Sequence, residues 1–118
     1  GIITTMNKAG IPVYNYMVAY KMPFFGGQVM CHTSDLALWF GSMEGAAYQY
    51  RGDETNAQRV SNHMMDALAA FAASGDPSGK LLKWAPYTTD AHNTMVFDVK
   101  SGCKVDFDRA VYEAMMNQ

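Results

Sequence analysis

The sequence is poor in the residues that build disulfide scaffolds and cysteine-rich metal sites. It has two cysteines, Cys31 and Cys103, in 118 residues, which is too few for either arrangement. We expect two buried thiols, with a single bridge as the alternative. The three histidines, His32, His63 and His92, lie far apart and lack paired carboxylates. The sequence therefore predicts no metal site and no cofactor.

Clustered positive charge and long apolar runs are also absent. The nine lysines and arginines are scattered from Lys8 to Arg109 and the net charge is -2, which argues against a nucleic-acid partner. No apolar run approaches the roughly 18 residues that a membrane-spanning helix requires. The N-terminus has no basic stretch before an apolar core. We expect neither a membrane partner nor a visible signal peptide.

Large apolar side chains, by contrast, are plentiful. Hydrophobic residues make up 49% of the chain, with 10 methionines, 7 tyrosines and 6 phenylalanines, while charged residues make up 17%. The length suits one domain or part of a larger one. We expect the apolar excess to form surface for contact with something outside these residues.

The apolar pattern predicts a small set of strands and helices. Residues 13–20 are apolar on both faces, which is typical of a central strand. Two further strands are expected at residues 94–99 and 104–107. The clearest helix is Glu54–Ser74, and short helices are expected from Ser34 or Asp35 to Phe40 and after Asp108.

Two helices have predicted inward faces. In Glu54–Ser74, residues 55–58 match a capping box, and the apolar face consists of Val60, Met64, Leu68 and Phe71. The helix after Asp108 is expected to turn Val111, Tyr112, Met115 and Met116 inward.

His32 is the leading candidate for chemistry. It follows Gly26-Gly27 and an apolar run and precedes a helix, so we expect its imidazole on a loop at the edge of a buried core. A catalytic base needs such a place, because it must be held rigidly and still reach substrate. Asp35 is expected to cap the helix rather than orient the imidazole. A structural role is the alternative for His32; His63 is expected to be structural and His92 solvated.

The nucleophile that such a base would serve is missing. The chain contains no G-x-S-x-G motif. Residues 101–104 fit S-x-x-K by letter but lie in a turn. Cys31 precedes His32 directly, and adjacent side chains on an extended chain point to opposite sides. We expect neither Ser101 nor Cys31 to act as a nucleophile.

Four aromatic residues lie near His32 in sequence. They are Phe24, Phe25, Trp39 and Phe40. Either they belong to the core, or they line a hydrophobic pocket for an acyl or alcohol group, which makes them the candidate substrate-binding residues.

A series of segments in order resembles the end of a type B carboxylesterase. The segments are Val13-Tyr14-Asn15-Tyr16, Gly26-Gly27, Cys31-His32-Thr33-Ser34-Asp35-Leu36, Phe71-Ala72-Ala73-Ser74-Gly75-Asp76-Pro77, Trp84-Ala85-Pro86-Tyr87 and Thr94-Met95-Val96-Phe97-Asp98. That family includes bacterial para-nitrobenzyl esterases and cholinesterase relatives. The resemblance covers nearly the whole chain from residue 11. Relatives often have a proline and an aromatic residue where this chain has Ala37 and Leu38, which affects the expected pocket shape.

The resemblance implies an α/β fold. Residues 1–118 would be the C-terminal fragment of a single α/β-hydrolase domain, with two to three strands, flanking helices and an incomplete sheet. It also implies that His32 is the triad histidine of a serine esterase acting on small carboxylic esters. Because the triad runs serine, acid, histidine along such chains, the other members and the oxyanion hole would lie upstream of Gly1, and the isolated chain would be inactive.

Two alternatives remain open. The chain could be a structural module that self-associates through an open strand edge, as a homodimer or a strand-exchanged assembly. It could also be half of a two-chain enzyme whose other half is a separate polypeptide.

Overall fold

The chain consists of short helices and short strands around one long helix. The computed structural model describes residues 1–117, apart from the side chain of Phe25. The elements are α1 (Ile2–Lys8), β1 (Asn15–Val18), α2 (Leu36–Trp39), α3 (Ala47–Tyr50), α4 (Glu54–Ser74), β2 (Thr94–Phe97), β3 (Gly102–Lys104) and α5 (Arg109–Met116), with 3₁₀ turns at Phe24–Gly26 and Met43–Ala46.

The three strands of the described chain form one mixed sheet in the order β1-β2-β3. β1 runs parallel to β2, with Asn15 opposite Thr94. β2 runs antiparallel to β3, with Met95 opposite Cys103. All residues of β2 are buried. A parallel pair needs a long crossover, and here α2, α3 and α4 supply it.

The expected central strand is an edge strand in this chain. β1 pairs with β2 alone among the described residues, and its Tyr16 and Met17 are 43% and 48% exposed. The prediction from residues 13–20 was wrong here because an apolar strand needs neighbours that this part of the chain does not contain. The strand predicted at residues 104–107 is also shifted, since β3 ends at Lys104.

Helix α4 has the predicted bounds and supplies much of the core. Val60 and Met64 are fully buried, whereas Phe71, predicted to face inward, is 48% exposed. The helix ends at Gly75, whose φ of 78° lies in the left-handed region that favours glycine.

The capping box predicted at residues 55–58 does not form. Asp53 occupies the N-cap position without a side-chain cap hydrogen bond. Its carboxylate instead accepts a bond of 3.0 Å from the Tyr20 hydroxyl and one of 2.7 Å from Asn56 Nδ2. The helix start is therefore tied to the segment after β1 rather than capped locally.

An aromatic cluster joins the sheet to the helices. Phe97, at the end of β2, is fully buried. Its ring contacts Trp39 at a centroid distance of 5.4 Å, Trp84 at 5.6 Å and Tyr16 at 6.1 Å, all edge to face. Such pairs add about 0.5–1.5 kcal/mol each beyond simple burial.

Helix α5 does not bury the face that the sequence predicted. Val111, Tyr112, Met115 and Met116 are 63%, 44%, 71% and 67% exposed. The apolar stripe is present, and its Tyr112 contacts His92, but most of the stripe stays uncovered in the described chain.

The cysteines also differ from expectation. Cys31 is exposed and Cys103 is half-buried, and both thiols are free. Cys31 is exposed because it opens a surface turn. Of the described helices, none is long and apolar enough to cross a membrane.

Replacing Met64 by alanine should lower the free energy of unfolding by about 2–5 kcal/mol, because truncating a fully buried side chain leaves a cavity. Urea unfolding followed by circular dichroism measures the change. The matched control is Met116→Ala on exposed α5, which should stay within about 0.5 kcal/mol of the parent. Equal losses in the two variants would contradict the assigned core.

Candidate functional site

His32 lies on a tight turn formed by residues 31–34. The turn is closed by the Ser34 backbone N–H, which donates to the Cys31 carbonyl at 3.1 Å. The Ser34 hydroxyl donates to the same carbonyl at 2.7 Å and accepts from the Cys31 N–H at 2.9 Å. Ser34 is itself buried, and its carbonyl accepts from the Tyr50 hydroxyl at 3.4 Å. One buried serine thus fixes the backbone that carries His32.

Thr33 is strained in this turn. Its φ of 65° lies in the left-handed region, which a β-branched residue rarely adopts. A positive φ at the third position is the feature of a type II turn, where Gly or Asn is usual. The Thr33 hydroxyl donates to the His32 carbonyl at 2.6 Å, which adds a local restraint to the turn.

The His32 imidazole is exposed and has no hydrogen-bond partner within the described residues. Asp35 neither orients the ring nor makes a side-chain cap bond to α2. Its carboxylate accepts from Trp39 Nε1 at 3.1 Å. Burial, and then the charge of Asp35, raise the pKa of Tyr16. Asp35 is therefore engaged within the α2 segment rather than at His32.

The four aromatic candidates have different surroundings. Trp39 is half-buried and packs on Tyr16 and Phe97. Phe24 packs edge to face on Tyr48 at 5.5 Å. Phe40 is 68% exposed, and the side chain of Phe25 lies outside the described part of the chain.

Trp39 also lines an apolar cleft of about 150 Å³ on the β1 side of the sheet. Tyr14, Phe71 and Trp84 contribute to the same cleft, whereas His32, Phe24 and Phe40 do not. The indole of Trp84 is 6% exposed, and its Nε1 has no hydrogen-bond partner in the described structure.

A second histidine contacts a serine without forming a nucleophile pair. His63 Nδ1 lies 2.9 Å from Ser101 Oγ. The Ser101 hydroxyl donates to the Asp98 carbonyl at 2.7 Å, so its proton is not available to His63. The contact ties α4 to the turn between β2 and β3, which confirms the expected structural role of His63.

His92 is buried rather than solvated, contrary to the sequence prediction. It is 3% exposed, its Nδ1 lies 3.1 Å from Asp108 Oδ1, and its ring stacks on Tyr87 at 4.7 Å. Burial, and then the charge of Asp108, raise the pKa of Tyr87 to about 12. The antiparallel β2–β3 pair brings the loop before β2 beside the start of α5, which the sequence did not indicate.

In the part of the chain that the structure describes, no three histidine, cysteine or acidic side chains converge as a metal site.

The sequence profile of the carboxylesterase family matches residues 1–115. The chain belongs to the carboxylesterase family. This confirms the resemblance drawn from residues 13–98, and the mixed sheet is an incomplete part of the family's α/β-hydrolase fold. No curated protein matches the chain.

Solved esterase structures superpose on nearly the whole chain. An esterase of the anaerobe Clostridium hathewayi, described as able to hydrolyse aliphatic aromatic polyesters, matches with a TM-score of 0.82 and 25% identity over 98% of this chain and 23% of its own. A carboxylesterase of Geobacillus stearothermophilus at pH 6.8 matches with a TM-score of 0.81 and 27% identity, over 95% of this chain and 24% of its own. A PNB esterase with 19% identity, a TM-score of 0.79 and coverage of 93% and 23% shows the fold alone. The chain thus spans about a quarter of the length of these carboxylesterase structures.

Thr33→Asn should raise the free energy of unfolding by about 0.5–1 kcal/mol, because asparagine tolerates a left-handed φ better than threonine. Urea unfolding measures this, with exposed Thr55→Asn in α4 as the matched control. A gain in the control but not at Thr33 would show that the turn is unstrained.

His63 should make the folded state less stable in acid. Burial, and then the positive charge of Arg59, lower the pKa of His63 from 6.5. As the pH falls through 6.5, the unfolded chain therefore binds a proton that the folded chain does not, and stability is lost. His63→Gln should lose less stability than the parent between about pH 8 and about pH 5. Urea midpoints across this range measure the difference, and Asn62→Gln is the matched control. If the midpoint of His63→Gln changes with pH in the same way as those of the parent and of Asn62→Gln, the assignment is contradicted.

Proposed function

We propose that this chain is the C-terminal, histidine-bearing part of a single carboxylesterase domain, and that His32 is the general base for hydrolysis of carboxylic esters. The observation that carries the proposal is the family match over residues 1–115 together with an exposed imidazole on a backbone-fixed turn. A base must be anchored through its backbone while its ring stays accessible to nucleophile and substrate.

In the intact enzyme, His32 takes the proton of the serine hydroxyl as the serine oxygen attacks the ester carbonyl carbon. It then gives that proton to the departing alkoxide, which leaves as the alcohol. In the second half-reaction, His32 removes a proton from water, which attacks the acyl-enzyme, and returns it to the serine oxygen. The substrate is a small-molecule ester, and the rest of the domain is the partner that brings the serine.

The surroundings of His32 support an incomplete site. Its ring has no hydrogen-bond partner within the described residues, and the neighbouring Asp35 carboxylate is engaged by Trp39. The serine, the acid and the oxyanion hole are therefore assigned to the rest of the domain, upstream of Gly1, and we expect the isolated chain to be inactive.

We assign the pocket wall to Phe24, Phe25, Trp39 and Phe40, with distinct contributions. Phe40 follows α2 and is the most exposed of the described three, which suits direct contact with an acyl or alcohol group. Trp39 holds α2 against Phe97 and thereby sets the position of the wall.

The isolated chain should not turn over para-nitrophenyl acetate by a serine-esterase route. Joined to, or mixed with, the upstream part of its domain, it should give esterase activity that His32→Ala lowers roughly 10⁴- to 10⁶-fold in kcat. Release of para-nitrophenol measures the rate.

The matched control is His63→Ala, since His63 lies on α4 and bonds Ser101. This control should retain activity within about tenfold. Serine-dependent turnover by the isolated chain, or equal losses in the two variants, would contradict the proposal.

A second candidate function is self-association without catalysis. The free edge of β1 favours it, because β1 pairs with β2 alone among the described residues and exposes Tyr16 and Met17. Open strand edges readily pair with another chain.

If β1 mediates pairing, the isolated chain should sediment as a dimer, and Met17→Lys should shift it toward monomer because a charge on an open edge opposes strand pairing. Analytical ultracentrifugation measures the mass. Met115→Lys on exposed α5 is the control, and dissociation by that change alone would assign the contact to α5. A monomeric parent chain would remove this candidate.

A further inference from the structure

A cluster of polar and aromatic side chains lies outside the proposed catalytic site, where the loop before β2 meets α5. His92 is its centre, enclosed between the stacked ring of Tyr87 and the edge-on ring of Tyr112 at 5.1 Å. The backbone N–H of His92 donates to Asp106 Oδ1 at 3.2 Å. The imidazole is thus held by two aromatic rings and through its main chain.

The bonds of this cluster define the tautomer of His92. Asp108 also accepts from the Tyr87 hydroxyl, at 3.3 Å to Oδ2, so its carboxylate acts as the shared acceptor. A carboxylate can only accept, so His92 Nδ1 donates to Asp108, and in the neutral ring Nε2 is left as an acceptor. No described residue donates to Nε2.

His92 lines a cleft of about 330 Å³ between α1 and α5. The walls are largely apolar and include Ile2, Ile3, Tyr112 and Met116. A cleft of this size with apolar walls and a few polar groups has the usual character of a small-molecule site.

The charges at the cleft are mostly paired. Asp106 is bonded to Arg109 at 2.6 Å, and Asp108 is shared by His92 and Tyr87. Glu113 is the remaining acidic group of the lining. This balance disfavours a carboxylate, and the acceptor Nε2, which is unpartnered within the described residues, suits a ligand that donates a hydrogen bond.

We propose that this cleft binds a small neutral alcohol or phenol, whose apolar body lies between α1 and α5 and whose hydroxyl donates to His92 Nε2. The site is separate from the assigned ester-hydrolysing centre, because the lining of the cleft includes neither His32 nor the described aromatic residues assigned to the pocket wall. The proposal therefore does not depend on the proposed function.

Benzyl alcohol and toluene form a suitable probe pair, since they share the apolar body and differ in the hydroxyl. The ¹⁵N-labelled 118-residue chain is titrated with each probe and followed by NMR. Benzyl alcohol should change the amide chemical shifts of α1, α5 and residues 87–92. Toluene should bind about five- to tenfold more weakly, which is the usual effect of one lost hydrogen bond.

Two variants separate binding from folding. His92→Asn keeps a donor near the position of Nδ1 for Asp108 but lacks the Nε2 acceptor. This variant should therefore bind benzyl alcohol and toluene with about equal affinity. His63→Asn is the matched control and should keep the preference. Ile3→Trp should block both probes by filling the cleft from α1.

Several results would overturn the proposal. These are equal affinity of the parent chain for the two probes, an unchanged preference in His92→Asn, shifts concentrated away from α1 and α5, and no binding of benzyl alcohol at millimolar concentration. Preferred binding of benzylammonium over benzyl alcohol would equally refute a neutral ligand.

Discussion

The edge-to-face packing of Trp39 on Phe97 connects the sheet to the segment that carries His32. Phe97 ends the buried strand β2, and Trp39 ends α2 while its indole N–H holds Asp35 at the start of the same helix. Because α2 follows the turn at residues 31–34 directly, the position of that turn depends on this contact. Without the buried ring of Phe97, α2 would lose one of its two aromatic contacts with the sheet, and the turn at His32 would depend more on the bond from Tyr50 to Ser34.

Local periodicity was sufficient to predict the elements whose packing partners lie within the described chain. Helix α4 has the bounds read from its apolar spacing and its closing Gly75, and β2 lies within its predicted range. The apolar faces of these segments are buried within the described chain, so the apolar spacing of each segment is enough to predict its type and bounds. The turn after Gly26-Gly27 also places His32 on the surface, as expected.

Other features could not be read from the sequence because they depend on contacts between distant segments. His92 is buried since the β2–β3 pairing carries Asp108 beside it, and nothing in the residues around His92 signals that partner. Conversely, β1 and α5 have apolar patterns that predict burial, but the partners that would cover them are absent from the described residues. A pattern indicates that a face will be covered; it does not identify the covering segment.

The turn at residues 31–34 restrains His32 in one respect and leaves it free in another. The hydrogen bonds that Ser34 and Thr33 make to residues 31 and 32 all end on main-chain atoms of those two residues. The Cα of the histidine therefore has a fixed position, while the torsions of its side chain are set by no bond from the described residues. Under the proposed function, the plane of the imidazole would be selected when the rest of the domain supplies an acceptor for its ring N–H, so the anchoring and the aiming of this side chain would be divided between separate stretches of protein.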